Sequence, residues 1–272
     1  MRNINMALHF LALIILLGLA KSINAQEVED EREFDYAVNS PKGPNNWGKI
    51  KKDWVKCNEG TMQSPIDLSH ERVRIISTTE EKNYTACNAT ITNRGHDIQM
   101  KFLGDAGLMT INGTNYHLVS AHWHSPSEHT INGRRYDMEL HLVHVSTDLQ
   151  VKNNISVLGM LYKIGKPDKF LSMIVRNVSS IMDEQHRESP LGMVDPAKIN
   201  SRSKKYFRYQ GSLTVPPCTE GVIWTINKKV KTVSRHQVNL LREAVHDYAE
   251  RNARPLQAKN SRDIYLYGPG VN

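Results

Sequence analysis

Apolar and polar positions alternate with period two along much of the chain, in short runs separated by turn residues. The run His96-Asp-Ile-Gln-Met-Lys-Phe102 places apolar side chains at 98, 100 and 102, as a half-buried strand requires. The same reasoning predicts strands over 107–112, 115–124, 136–145, 155–164 and 220–226. Helical spacing is rarer. Ser234 opens an S-x-x-Q capping box with Gln237, after which Val238, Leu241, Val245 and Tyr248 recur at helical intervals. Residues 168–181 form a second helical segment. Neither an internal repeat nor a Pro- or Ser-rich linker divides the chain, so one mainly-β domain of about 240 residues is expected. Periodicity alone fits an open sheet, a sandwich or a barrel.

Period two also sorts the histidines. In Ala121-His-Trp-His-Ser125, His122 and His124 turn to one face of a strand, and in Glu139-Leu-His-Leu-Val143, His141 shares a face with Glu139 and Val143. Asn132-Gly133 lies between the two segments and is a preferred pair for a tight hairpin turn. An idealised hairpin centred there sets His124 opposite His141. Pro126 cannot donate to a ladder and interrupts that register, so the expectation is proximity on one face. His144 faces away. His117 and His129 are rival ligands, with His117 on the opposite parity, while His9, His70, His186, His236 and His246 read as surface or packing residues. Three imidazoles on one face make an open zinc site: a structural zinc is closed by four protein ligands, whereas three ligands plus water is the catalytic pattern. A hydrolytic or hydrating zinc enzyme is therefore predicted.

These residues carry a resemblance. His122-Trp-His-Ser-Pro-Ser-Glu-His-Thr-Ile131 followed by Glu139-Leu-His-Leu-Val-His144 closely resembles the zinc-binding core of α-class carbonic anhydrases, particularly the plant branch. Gly43-Pro-Asn-Asn-Trp47, Gln63-Ser-Pro-Ile-Asp-Leu68, Asn93-Arg-Gly-His-Asp97, Gly211-Ser-Leu-Thr-Val-Pro-Pro217 and Asn252-Ala-Arg-Pro255 are similar to that family's signatures, in order. The resemblance spans residues 34–268. It implies a single domain built on a large, mostly antiparallel twisted sheet with a few peripheral helices, and zinc at the floor of a conical cleft.

The resemblance also assigns roles. His122, His124 and His141 would hold Zn²⁺, which lowers the pKa of its bound water to about 7, a value characteristic of carbonic anhydrases themselves. Thr214 would donate to Glu128 and orient the nucleophile. Val143, Val157, Leu213 and Trp224 match an apolar wall for CO₂, and Val215 is a variable position that shapes the pocket. His96 matches the proton shuttle, since an imidazole titrates close to the working pH. Behind the ligands, Glu139 would orient His141, and a backbone carbonyl near Asn252 would orient another ligand. One departure stands out: where the family supplies a glutamine for His122, this chain has Ser120. A shorter partner there predicts weaker zinc retention.

Residues 1–25 have a basic start and an apolar run of about 15 residues ending near Ala25, which reads as a signal peptide rather than a bilayer span. No later segment resembles a membrane span. Residues 26–33 form an acidic mature N-terminus and 269–272 a C-terminal tail. Removing 1–25 deletes Arg2 and Lys21 and no acids, so the formal charge of +7 falls to +5. That excess reads as dispersed, with no basic stripe carrying interleaved aromatics, and so does not argue for nucleic acid; no nucleic-acid partner is expected.

Cys57 and Cys218 match the disulfide of secreted family members, which leaves Cys87 as a free thiol or an intermolecular partner. Sequons at Asn83, Asn88, Asn112, Asn154 and Asn177 also suit the secretory pathway, with Asn83 and Asn88 expected to be the most exposed. The apoplast, or a chloroplast reached through the secretory route, is the expected destination. The expected activity is reversible hydration of CO₂ to bicarbonate and a proton, open to sulfonamide-type inhibitors. The alternative is a storage or binding protein on the same scaffold. A zinc peptidase is disfavoured because no His-Glu-x-x-His helix is present. Nothing in the chain specifies an oligomeric state.

Overall fold

The computed structural model describes residues 33–268 apart from 70–72, 77–80, 149, 183, 185 and 200–202. The leader, all of the acidic N-terminus but Glu33, the C-terminal tail, His9 and His70 lie outside the described residues. The strands are β1 Val73–Ile76, β2 Glu81–Tyr84, β3 Cys87–Asn93, β4 Ile98–Phe102, β5 Gly107–Ile111, β6 Thr114–His124, β7 Thr130–Ile131, β8 Arg134–Arg135, β9 Met138–Val145, β10 Ile155–Ile164, β11 Glu188–Val194, β12 Tyr206–Ser212, β13 Glu220–Asn227, β14 Lys231–Val233 and β15 Ile264–Tyr267. The helices are α1 Trp47–Ile50, α2 Lys56–Glu59, α3 Lys169–Ser179 and α4 Arg235–Glu243.

Among the described residues, 13 strands form one sheet. Its main path runs β1-β15-β12-β13-β10-β9-β6-β4-β3-β11, with β14 on β10, β5 on β6, and β2 on β5. Most pairs are antiparallel, as expected. The pairs β1/β15, β10/β13 and β10/β14 are parallel, and nothing in the local sequence pattern announced them.

The central strands are buried on both faces, and their parity divides the core. Leu140 and Leu142 of β9, Leu158, Met160 and Tyr162 of β10, and Ala121 and Trp123 of β6 join one apolar cluster. Phe170, Leu171, Ile174 and Val178 of α3 and Val238, Leu240 and Leu241 of α4 cover that cluster. On the other face, Val157 and Leu161 pack with Phe207, Tyr209, Leu213, Trp224 and Ile226. A register shift between Leu118 and Ser120 reverses the parity of β6, so Leu118 joins the first cluster while Ser120, His122 and His124 share the second face with the odd positions of β9, and this face carries the three candidate zinc ligands.

Both helices begin as their sequences predict. Asp168 accepts from the backbone N–H of Phe170 and Leu171, each at 3.0 Å, a cap worth about 1 kcal/mol. The Ser234/Gln237 capping box is formed. Gln237 also reaches the other helix, donating to Asp168 O at 2.8 Å and accepting from Asp168 N at 2.9 Å. Tyr248 lies beyond the end of α4 and is exposed, so the predicted helical face stops short of it.

Asn83, Asn88 and Asn112 are exposed, Asn112 in the turn between β5 and β6, whereas Asn154 and Asn177 are half-buried. Asn177 Nδ2 already donates to Ser189 Oγ at 3.0 Å and to Pro190 O at 3.1 Å. Cys87 is a buried free thiol, pushed upward in pKa by burial.

His144 faces away from the candidate ligands, as predicted. It is fully buried with Nε2 2.9 Å from the Tyr84 hydroxyl, and burial pushes its pKa down to about 3. Its neutral folded form contributes stability above the unfolded value of about 6.5, and that contribution is lost as pH falls towards 3. At pH 5 the loss is about 2 kcal/mol. His144→Gln should therefore flatten the dependence of melting temperature on pH between 7 and 5. An unchanged slope would remove this group from the acid response.

Candidate metal centre

The nitrogens of His122, His124 and His141 converge within 4.8 Å of one another, and all three residues are buried. His141 Nδ1 and His122 Nε2 are 3.2 Å apart. A tetrahedral zinc with bonds of 2.0–2.1 Å needs donor separations of about 3.3 Å. The His122–His141 spacing fits the metal.

Register differs from the idealised hairpin by two residues. His122 lies opposite His141, and His124 opposite Glu139. The turn itself behaves as expected, with Asn132 and Gly133 at φ 51° and 74° and Thr130 paired to Arg135. The offset arises because the chain leaves the ladder at Ser125-Pro126 before β7 begins, so β6/β9 and β7/β8 keep separate registers.

Two of the three ligands, His124 and His141, are held from behind by a hydrogen bond. The His124 Nδ1–H donates to Asn252 O at 2.8 Å, which leaves Nε2 as the lone-pair nitrogen, buried and without a hydrogen-bond partner. The Asn252 side chain locks the same region, accepting from Ser125 N at 2.8 Å and donating to the carbonyls of His96 and Trp123 at 2.9 and 3.2 Å. The His141 Nε2–H donates to Glu139 Oε1 at 2.9 Å, which frees Nδ1 for the metal. Burial lowers the pKa of His122 and His141, keeping both neutral as ligation requires. For His124, Glu128 and Asp97 outweigh burial and raise it.

Glu139 is the centre of a network that sequence parity did not expose. It also accepts the His129 Nδ1–H at 2.7 Å and the backbone N–H groups of Glu128 and His129 at 2.9 and 2.8 Å. Burial alone would raise its pKa, yet His129 and His141 hold the carboxyl well below the usual range. In the neutral ring with Nδ1 donating, Nε2 accepts, here from the Tyr209 hydroxyl at 2.7 Å. Tyr209 in turn accepts from Ser64 Oγ at 2.8 Å. Both His129 nitrogens are engaged, so His129 is a support for Glu139 rather than a rival ligand. Gly159, opposite His141, completes the fit: a Cβ there would come within 2.4 Å of Ile226 and 3.1 Å of Glu139 Oε1.

The apolar wall forms across three adjacent strands. Val143 lies opposite Val157, and Val157 beside Trp224, with Leu213 in the same cluster. Val215 packs with the other cluster. Thr214 is buried, but the expected bond from Thr214 to Glu128 is not formed. Glu128 Oε1 accepts from Arg254 N at 3.0 Å, and Oε2 is buried without a donor. His96 is fully buried, with its ring 5.2 Å from Phe34 and Nε2 3.8 Å from Asp97 Oδ2.

Ser120 sits on the ligand face of β6 and is 9% exposed. Among the described residues its hydroxyl makes no hydrogen bond to His122. Partners behind a metal ligand are worth roughly 10 to 100-fold in affinity. Ser120→Gln is expected to tighten zinc by about tenfold or more in a chelator competition; equal affinities would refute it.

Residues 42–268 match the family model for eukaryotic-type carbonic anhydrase. The chain is 49% identical over 267 residues to alpha carbonic anhydrase 7 of Arabidopsis thaliana, covering 97% of this chain and 95% of that one. It is 48% identical to carbonic anhydrase Nec1 of Nesocodon mauritianus, with 98% of each covered. Among solved structures, dioscorin complexed with ascorbate superposes with a TM-score of 0.84 at 42% identity, covering 88% of this chain and 100% of that one. The α-carbonic anhydrase of Thermovibrio ammonificans with the inhibitor sulfanilamide gives a TM-score of 0.76 at 33% identity, covering 85% and 98%. A sheet with this topology, three imidazoles converging on one face and a family match across that whole region together establish that the chain belongs to the α-class carbonic anhydrases.

Proposed function

We propose that the protein catalyses the reversible hydration of carbon dioxide to bicarbonate and a proton, with zinc held by His122, His124 and His141. The observation that carries this reading is the set of three buried imidazoles whose donor nitrogens lie within 4.8 Å of one another, with His141 oriented by Glu139 and His124 by the Asn252 carbonyl. Bound there, zinc acts as a Lewis acid that makes water nucleophilic at neutral pH. Val143, Val157, Leu213 and Trp224 supply an apolar surface on which CO₂ rests without competing hydrogen bonds. Glu128 Oε2, buried and lacking a donor, is the acceptor for the Thr214 hydroxyl once that side chain turns inward, which fixes the direction of attack.

His96 takes up the released proton. Because its ring is packed against Phe34 and closed to solvent, the relay requires the ring to leave that contact. His96→Ala should slow CO₂ hydration about tenfold or more in weak buffer, in keeping with the size of general-base contributions, and added imidazole should restore it. Equal rates in weak buffer would remove His96 from the relay. Passage through the secretory pathway suits this reading, through the leader, the disulfide and the exposed sequons.

The test is stopped-flow CO₂ hydration by the zinc-loaded, disulfide-oxidised protein, with and without sulfanilamide. Hydration that the inhibitor suppresses supports the enzyme. No hydration at full zinc occupancy supports the second reading, a binding protein on this scaffold, which Ser120 and the likeness to dioscorin solved with ascorbate favour.

A further inference from the structure

The sequence gives the positive charge an even look, but the fold gathers part of it. Between residues 196 and 235 the chain has nine basic residues and one acid, Glu220. In the folded sheet Glu220 lies opposite Ser212. At the other end of the same strand pair, Tyr206 pairs with Asn227, and the Lys228 N–H donates to Lys205 O at 2.9 Å. Lys204, Lys205, Lys228 and Lys229 therefore project from one sheet end. On β10, which runs parallel to β13, the chain reaches the same end with Lys163 and Lys166.

Five of these six lysines are exposed and Lys228 is half-buried. None of the six has an ion-pair partner among the described residues. Of the carboxylates here, Asp168 pairs with Lys231 at 2.9 Å and caps α3, and Asp137 accepts from Ile164 N at 2.8 Å.

We propose that this lysine-rich end of the sheet is a docking surface for a carboxylated polysaccharide. Neighbouring strands are about 5 Å apart, so the ends of β12, β13 and β10 set their lysine-bearing segments side by side in a row. A linear polymer with one carboxylate per sugar ring matches such a row in sign and scale. The surface lacks what two other polyanions need. Among the described residues none of the exposed large apolar side chains is on β10, β12 or β13, so the strands that carry the lysines offer nothing to enter a lipid layer. Tyr206 and Tyr267 are stacked face to face at 5.0 Å beneath Arg208, so these two rings are engaged with each other rather than offered to a nucleic-acid base. The candidate sequon Asn154 precedes the opposite end of β10. The pocket wall of Val143, Val157 and Leu213 also lies towards that opposite end, so docking leaves the metal centre open.

The experiment titrates the full chain with polygalacturonate by calorimetry at low and high salt, beside its fully methyl-esterified form, phosphatidylserine vesicles and single-stranded DNA. The expected result is binding to the acid polymer that weakens at least tenfold at high salt and is absent with the ester. The triple variant Lys204→Glu/Lys205→Glu/Lys228→Glu should bind at least tenfold more weakly, with CO₂ hydration unchanged. The neutral pair Lys204→Gln/Lys228→Gln gives the same comparison if the triple variant does not fold. No binding at low salt, equal binding by the variants, or tighter binding to vesicles or DNA than to polygalacturonate would overturn the proposal.

Discussion

His141→Ala is expected to abolish CO₂ hydration and to weaken zinc by more than about 100-fold, since losing an outer partner alone reaches that figure. Two nitrogens cannot close three corners of a tetrahedron. The substitution should leave the chain folded, because Glu139 keeps three of its four donors: the His129 ring and two backbone N–H groups. Zinc affinity by chelator competition and near-ultraviolet circular dichroism of the metal-free protein separate the two effects. Retention of stoichiometric zinc at nanomolar free metal would show that His141 is not a ligand. Glu139→Ala should instead strike both properties, because it strands four donors in the interior at about 1–3 kcal/mol each.

The second large effect is expected at Cys57–Cys218. The bridge is formed and closes a segment with a sequence separation of 161, for which chain entropy predicts about 5 kcal/mol, an upper figure that depends on the unfolded-state model. Removing such a bond typically costs about 2–5 kcal/mol. The bond also braces the site. Arg254 donates to Cys57 O at 2.6 Å, to Gln63 Oε1 at 2.8 Å and to Ser64 O at 2.8 Å, while its backbone N–H holds Glu128. Gln63 Nε2 in turn donates to Cys218 O at 3.1 Å. Reduction, or Cys57→Ser with Cys218→Ser, should therefore lower the melting temperature and activity together. Full activity and unchanged melting after complete reduction would separate the bridge from both.

Much of this site was legible because strand parity is a local property. His122 and His124 had to share a face, His141 had to join Glu139 and Val143, and His144 had to leave them. The exact pairing was not legible, because the break at Ser125-Pro126 detaches the β6/β9 ladder from the turn that would otherwise set it. The support behind the ligands was hidden for a different reason. Tyr209 is 80 residues from His129, and Ser64 is 145 from Tyr209, distances over which no periodicity operates. The Ser234/Gln237 capping box and the helical segments recognised at 168–181 and after 234 gave the two longer helices. The one-turn helices around Trp47 and Cys57, and strands such as β11 and β12, carry too little pattern to stand out. The clustering of lysines depends on which strand ends meet, and composition averages that away.

The contribution of Asn252 and Arg254 also sets an order of events in synthesis. His124 and Glu128 precede their partners by 128 and 126 residues. A nascent chain thus carries all three imidazoles long before the groups that aim His124 and anchor Glu128 have been made. Metal captured early would meet ligands still free to rotate, whereas the oriented site comes into being only when residues 252–254 emerge. Emergence of Asn252 and Arg254, rather than appearance of the ligands, is the moment at which the protein becomes able to hold its metal in working geometry.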